Sequence, residues 1–112
     1  FYNRLKDAQQ ASLDAVKENV EYSMLDQVAR SSLGTYAKNF THSLGHGIGI
    51  DVHEAPQFSG KEKVKPNIPF TIEPGIYLKG KVGMRIEDTV VWNNKLRIFT
   101  NFPKELISVK KF

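Results

Sequence analysis

An α+β domain is predicted by three features of this chain. Alanine, glutamine and leucine at helical spacing fill the first third, and glycine, histidine and β-branched residues replace them after Tyr36. Short apolar runs punctuated by proline, glycine and asparagine then continue to the carboxy terminus. Two helices followed by a mostly antiparallel sheet are therefore expected, in one small domain spanning 1–112.

The elements follow in order. From about Tyr2 to Val16, the residues Leu5, Ala8, Ala11, Ala15 and Val16 fall near one face of a helix. Arg4, Lys6, Asp7, Gln9 and Gln10 fall largely outside that face. Asn19 and Val20 interrupt the pattern. A second helix is expected to begin near Ser23, whose hydroxyl can cap free backbone N–H groups. Met24, Leu25, Val28, Ala29 and Leu33 give it an apolar face, and Gly34 supplies a left-handed stop. Asn39 to Val52 reads as strand, tight glycine turn, strand. The run Ile68-Pro69-Phe70-Thr71-Ile72 reads as a strand ended by Pro74 and Gly75. Gly80 marks a turn into a strand from Gly83 to Trp92, and Asn93-Asn94 is suited to a hairpin turn because asparagine tolerates positive φ. Pro103 to Ile107 is expected to form a short closing helix.

Composition excludes several classes of function. A hydrophobic fraction of 40% and a charged fraction of 25% are ordinary for a soluble globular protein. Sixteen basic residues against twelve acidic ones leave a net charge of +4, but the lysines are spread rather than massed. They read as a solvated surface, and no nucleic-acid partner is expected. The absence of cysteine rules out disulfides and thiolate metal sites. No apolar run approaches the roughly 18 residues of a bilayer-spanning helix, so no membrane partner is expected, and no signal peptide is visible. A chain that opens at Phe1 with a helical pattern already under way is expected to be a fragment.

The three histidines all fall between Thr41 and Glu54. His42 and His46 are four apart, but Gly45, Gly47 and Gly49 surround the second and argue against a helix there. Glycine is useful where backbone must approach a ligand closely. A single histidine here would most simply be a buried side chain in a turn; three packed with glycines point to chemistry. Glu73 follows the apolar run, either as a surface residue at a strand end or as a ligand held by a rigid turn. In a continuous strand, Arg85, Glu87 and Thr89 share one face while Met84, Ile86, Asp88 and Val90 share the other. Arg85 and Glu87 are then either an edge salt bridge, or a buried metal ligand with its charge partner or a substrate contact. One imidazole with several carboxylates suits manganese, cobalt, iron or zinc. A metal also neutralises carboxylates that are costly to bury.

Three blocks carry a resemblance. His42-Ser43-Leu44-Gly45-His46-Gly47-Ile48-Gly49 with Asp51-Val52-His53-Glu54, then Thr71-Ile72-Glu73-Pro74-Gly75-Ile76-Tyr77, then Arg85-Ile86-Glu87-Asp88-Thr89, together resemble the pita-bread metallopeptidases. The blocks stand in family order, and the helical pair and closing segment around them also look like the family's second half. The resemblance implies half of a pita-bread fold, in the branch of prolidase and Xaa-Pro aminopeptidase. It implies hydrolysis of the Xaa-Pro bond at a peptide amino terminus or in a dipeptide, with two divalent ions (manganese, cobalt or zinc) in the complete enzyme. His46, Glu73 and Glu87 would be metal ligands, Glu87 bridging both ions and Glu73 also handling the proton of the attacking water. His53 would stabilise the intermediate near the scissile bond, and His42 would line the pocket for the residue after it. Arg85 and Asp88 resemble the prolidase side rather than methionine aminopeptidases.

One departure stands out. The family takes two further ligands from aspartates on a hairpin preceding these helices. The five aspartates here, Asp7, Asp14, Asp26, Asp51 and Asp88, offer no such hairpin. The missing amino-terminal half is expected in cis or as another chain, and the isolated chain is expected to be inactive. A homo-oligomeric, cytoplasmic complete protein is also implied by the resemblance. The competing reading is a catalytically silent pita-bread module that binds peptides or proteins; the ligand set at His46, Glu73 and Glu87 argues against it.

Overall fold

In the computed structural model, residues 2–48, 58 and 61–100 are described. Two helices open the chain, α1 (Tyr2–Ala15) and α2 (Tyr22–Leu33), followed by a 3-10 helix at Gly34–Asn39. Five short strands come after them: β1 (Phe70–Ile72), β2 (Gly75–Leu78), β3 (Val82–Arg85), β4 (Asp88–Trp92) and β5 (Leu96–Ile98). Strands β1, β4 and β5 form one sheet in the order β1-β4-β5, and β2 pairs with β3 in a second. Among the described residues every strand pairing is antiparallel. This is the expected α+β arrangement.

Helix α1 buries Leu5, Ala8, Gln9, Ser12 and Leu13. These positions follow the i, i+3, i+4, i+7, i+8 progression of a core-facing stripe. The stripe is rotated from the expected one: Ala11 and Ala15 are only half-buried, and Gln9 is fully enclosed. Helix α2 begins one residue before Ser23, at Tyr22, and its preceding residue Glu21 makes no side-chain cap. The backbone N–H of Tyr22 is instead satisfied by the Glu62 carbonyl at 2.9 Å. Leu25, Ala29 and Leu33 face the core, whereas Met24 is exposed. Gly34 ends the helix with φ of 59°, a left-handed value that glycine adopts without the Cβ penalty.

The core lies between the helices and the sheet. Tyr22 stacks obliquely on Phe58 at 4.9 Å and meets Phe70 edge-on at 5.0 Å. Leu5, Leu25, Leu33, Leu44, Ile72 and Val90 complete it. Asn94, at φ 61°, occupies the turn joining β4 to β5, and Gly80, at φ 74°, the turn joining β2 to β3.

Two expected strands come out differently. The described part of Asn39–Val52 contains no extended strand; it makes an isolated bridge between Gly47 and Phe70. Residues Leu44 to Gly47 nonetheless run beside β1, with Thr71 N–H donating to the His46 carbonyl at 2.9 Å and Glu73 N–H to the Leu44 carbonyl. The expected strand Gly83–Trp92 is broken at Ile86 and Glu87, where β3 gives way to β4. Arg85 and Glu87 therefore do not share the face of one continuous strand. The expected helix Pro103–Ile107 lies outside the described residues.

Candidate metal centre

The loop carrying the histidines is fastened to α2. Arg30 pairs with Asp26 one turn before it at 2.5 Å, donates to the Phe40 carbonyl and the His42 carbonyl at 2.8 Å each, and lies over the Phe40 ring at 4.2 Å. Asp26 in turn accepts the backbone N–H of Leu44 at 2.9 Å. Asp26 is thus committed to the loop, and Asp14 is bonded to Gln10 on the exposed face of α1. Neither aspartate lies at the candidate site, in accord with their helical context.

Further along the loop, Gly45 packs its backbone against β1 so tightly that a Cβ would overlap the Thr71 carbonyl. His46 is then held by its own N–H, which donates to Thr71 Oγ1 at 3.0 Å. Its ring nitrogen Nδ1 lies 2.7 Å from the Gly47 carbonyl. A carbonyl only accepts, so Nδ1 carries the proton, and in the neutral ring Nε2 presents a lone pair. Nε2 lies 3.4 Å from Glu73 Oε2. Glu73 is buried at the end of β1, and that oxygen has no hydrogen-bond donor among the described residues.

Glu87 approaches from the other side. The Ile86 N–H donates to the Pro74 carbonyl at 3.2 Å, which draws the β3–β4 junction against the end of β1. The Glu87 carboxyl lies near that of Glu73. Partial burial raises its pKa above the ordinary carboxylate value, the Glu73 charge raises it further, and Arg85 opposes both. Glu87 is 43% exposed at its side chain, so of its two readings from the sequence the buried one does not hold. Its ion pair with Arg85 is long, at 3.8 Å.

Arg85 stands near the Tyr77 hydroxyl, and that hydroxyl lies 2.7 Å from His42 Nε2. His42 Nδ1 faces the Ser43 carbonyl at 2.8 Å, which fixes the proton on Nδ1. Tyr77 is therefore the donor to Nε2. Partial burial pushes the phenol pKa up, and Arg85 works against that. The Tyr77 ring lies across the bare backbone of Gly75 and Gly83, where a Cβ on either glycine would meet it.

Five of the six residues singled out in the sequence thus form one chain of neighbouring polar groups: His46, Glu73, Glu87, Arg85 and, beside Tyr77, His42. His53 lies outside the described residues. Tyr77 carried no role in the sequence reading, although it stands in the same block as Glu73. Its placement depends on two glycines, Gly75 two residues before it and Gly83 opposite it across the hairpin.

An imidazole lone pair aimed at a buried carboxylate oxygen without a donor fits a bound cation, and carboxylate with imidazole suits divalent transition metals. The fit is partial. Among the described residues, no three histidine, aspartate or glutamate side chains gather closely enough to hold an ion by themselves.

Comparison with known proteins identifies relatives of this chain. The model for "Metallopeptidase family M24" matches residues 1–94. An Xaa-Pro dipeptidase of Lactobacillus delbrueckii subsp. lactis is 43% identical over 111 residues, covering 95% of this chain and 30% of its own length. The crystal structure of a recombinant prolidase from Thermococcus sibiricus superposes with a TM-score of 0.88 at 43% identity, covering 96% of this chain and 31% of that one. An X-Pro aminopeptidase from Thermotoga maritima gives a TM-score of 0.86 at 41% identity, covering 93% and 31%. The chain therefore spans about a third of the length of the relatives it matches.

Proposed function

The chain belongs to metallopeptidase family M24, and from that premise we propose that the complete protein hydrolyses the bond between an amino-terminal residue and a following proline, in peptides or dipeptides. In this reading 1–112 is the carboxy-terminal half of the catalytic domain, and the remaining ligands come from an amino-terminal half in cis or on another chain. The observation that carries it is the pairing of His46 Nε2 with the donor-less buried oxygen of Glu73. The names of the relatives, Xaa-Pro dipeptidase and prolidase, support the substrate class.

His46, Glu73 and Glu87 would hold divalent ions, two of them in the complete site, with manganese, cobalt or zinc suited to the donors. Such ions acidify water and polarise a carbonyl. The rest is work for side chains of this chain. Glu73 accepts the proton of the attacking water and is placed for it by its rigid position before Pro74. His42, held in one tautomer by Ser43 and Tyr77, borders the pocket for the residue after the scissile bond. His53 donates to the developing oxyanion. Arg85 offers its guanidinium to the substrate while restraining Glu87.

The test uses the complete protein with an Xaa-Pro dipeptide and with a peptide bearing proline at position two, after metal removal and after adding manganese or cobalt. Metal-dependent release of the amino-terminal residue is expected, and Glu87→Ala should lose metal and activity together. His53→Ala should lose activity, on the order of a hundredfold, while keeping its metal. Peptide binding without hydrolysis under every metal condition would overturn the enzyme reading in favour of a silent binding module.

A further inference from the structure

We propose that Gln9 of α1 is a positioning residue for the candidate metal centre, holding in register the two strand ends from which Glu73 and Glu87 project; this rests on the metal-site reading above. Gln9 is completely enclosed, with no exposed surface. Its Nε2 donates to Asp88 Oδ2 at 2.9 Å and lies 3.4 Å from the Ile72 carbonyl. Ile72 immediately precedes Glu73, and Asp88 immediately follows Glu87. Both partners are acceptors, so the amide orientation is fixed.

The location matters because the ladder is interrupted there. Ile72 and Asp88 are the last pair of the β1–β4 ladder, and strand pairing resumes only at Gly75 and Arg85, in β2 and β3. Glu73 and Glu87 stand in that gap, outside any strand. The other oxygen of Asp88 accepts the Thr100 hydroxyl, so its carboxylate is held on both sides. One amide from the helix layer thus ties together the backbone before one candidate ligand and the side chain after the other. A purely structural role explains the residue poorly. Gln9 sits between Leu5 and Leu13 on the buried stripe, where an apolar side chain would fill the space. The amide instead leaves its own Oε1 without a donor among the described residues, a cost to folding. Outer partners that orient metal ligands commonly change affinity by about 10- to 100-fold.

The test compares Gln9→Leu with Ser12→Ala in the complete protein. Ser12 lies on the same buried stripe, but its hydroxyl bonds only the Ala8 carbonyl one turn back. Three quantities are measured: Mn²⁺ affinity of the metal-stripped protein by titration calorimetry, Tm of the metal-free protein, and kcat and KM on an Xaa-Pro substrate. Gln9→Leu is expected to weaken Mn²⁺ binding about tenfold or more and to lower kcat similarly, with KM within about twofold. Ser12→Ala should lower Tm and leave affinity unchanged. Should Gln9→Leu fail to fold, Gln9→Met keeps the length and the apolar fill and carries the same comparison. Gln9→Asn, which retains the amide, should recover part of the affinity. Wild-type affinity in the Gln9→Leu or Gln9→Met protein, whatever its Tm, would overturn the proposal. No Mn²⁺ binding by the wild-type protein would instead overturn the metal-site reading on which it rests.

Discussion

The hydroxyl of Tyr77 donates to Nε2 of His42 across 2.7 Å, and Arg85 stands near the same hydroxyl. Tyr77 therefore joins two residues that sequence reasoning placed near the substrate but could not connect. Tyr77→Phe keeps the ring over Gly75 and Gly83 and removes only the shared oxygen. We expect kcat/KM of the complete protein to fall about fivefold, since one oriented hydrogen bond is worth roughly 1 kcal/mol. Metal content should not change, because Tyr77 is not bonded to His46 or Glu73. Loss of metal in Tyr77→Phe would show that the two ends of the polar chain are not separable.

Arg30 is the fastening of the histidine loop to α2. Its removal strands the carbonyls of Phe40 and His42 and leaves Asp26 without its cation. Arg30→Ala should destabilise the protein by about 2 kcal/mol in denaturant unfolding. Arg30→Lys should recover little of this. A lysine is a point charge that cannot serve Asp26 and two carbonyls in the same plane while stacking on Phe40. Equal midpoints for Arg30→Lys and the wild type would mean that only the charge matters.

Much of the fold was readable because helical period and turn residues act locally. The stripe on α1, the stop at Gly34 and the asparagine turn at Asn94 follow from side chains within a few residues of each other. Misreadings arose where distant partners decide. Gln9 looked solvent-facing because glutamine usually is, and only Asp88 and Ile72, far along the chain, make its burial tolerable. It also stands at i+4 from Leu5 and i−4 from Leu13, a signal that the stripe itself contained. The strand through Glu87 looked continuous because its residues favour extended backbone. Its break lies opposite Pro74, which accepts from Ile86 but has no N–H to donate back, and no pattern within the strand itself encodes that partner. The convergence of His46 with Glu73 was readable from block order and resemblance, not from spacing.

Alkaline pH should weaken the fold through Tyr22. Burial, with the negative charge of Glu62 adding to it, pushes the phenol up to about 12 from 10.0. The folded state thus retains a proton that the unfolded chain releases earlier. The stabilisation is complete below pH 10 and declines as pH rises from 10 toward 12. Denaturant midpoints measured from pH 8 to 11 should fall most steeply above 10. In Tyr22→Phe, which keeps the ring contacts with Phe58 and Phe70, that part of the decline should disappear. An unchanged decline in Tyr22→Phe would place its origin in another group.

Gly45 and Gly80 are both expected to resist substitution, for different reasons and with different consequences. Gly80 has φ of +74° and open space around its missing Cβ. Gly80→Ala meets only the backbone penalty of the left-handed region, roughly 1 kcal/mol. The turn is remote from the polar chain, so metal affinity should hold. At Gly45 the obstacle is the Thr71 carbonyl, which belongs to β1 and cannot move without disturbing the hydrogen bonds of Thr71 and Glu73 to the loop. Gly45→Ala must therefore push the loop off the strand, at a cost of about 2–3 kcal/mol. His46 is the next residue and Glu73 lies two beyond Thr71, so the same displacement separates the imidazole from the carboxylate. Gly45→Ala is expected to lose both stability and Mn²⁺ affinity in the complete protein, and Gly80→Ala only stability. If Gly45→Ala were destabilised yet bound Mn²⁺ like the wild type, His46 and Glu73 would not owe their pairing to the close approach of this loop to β1.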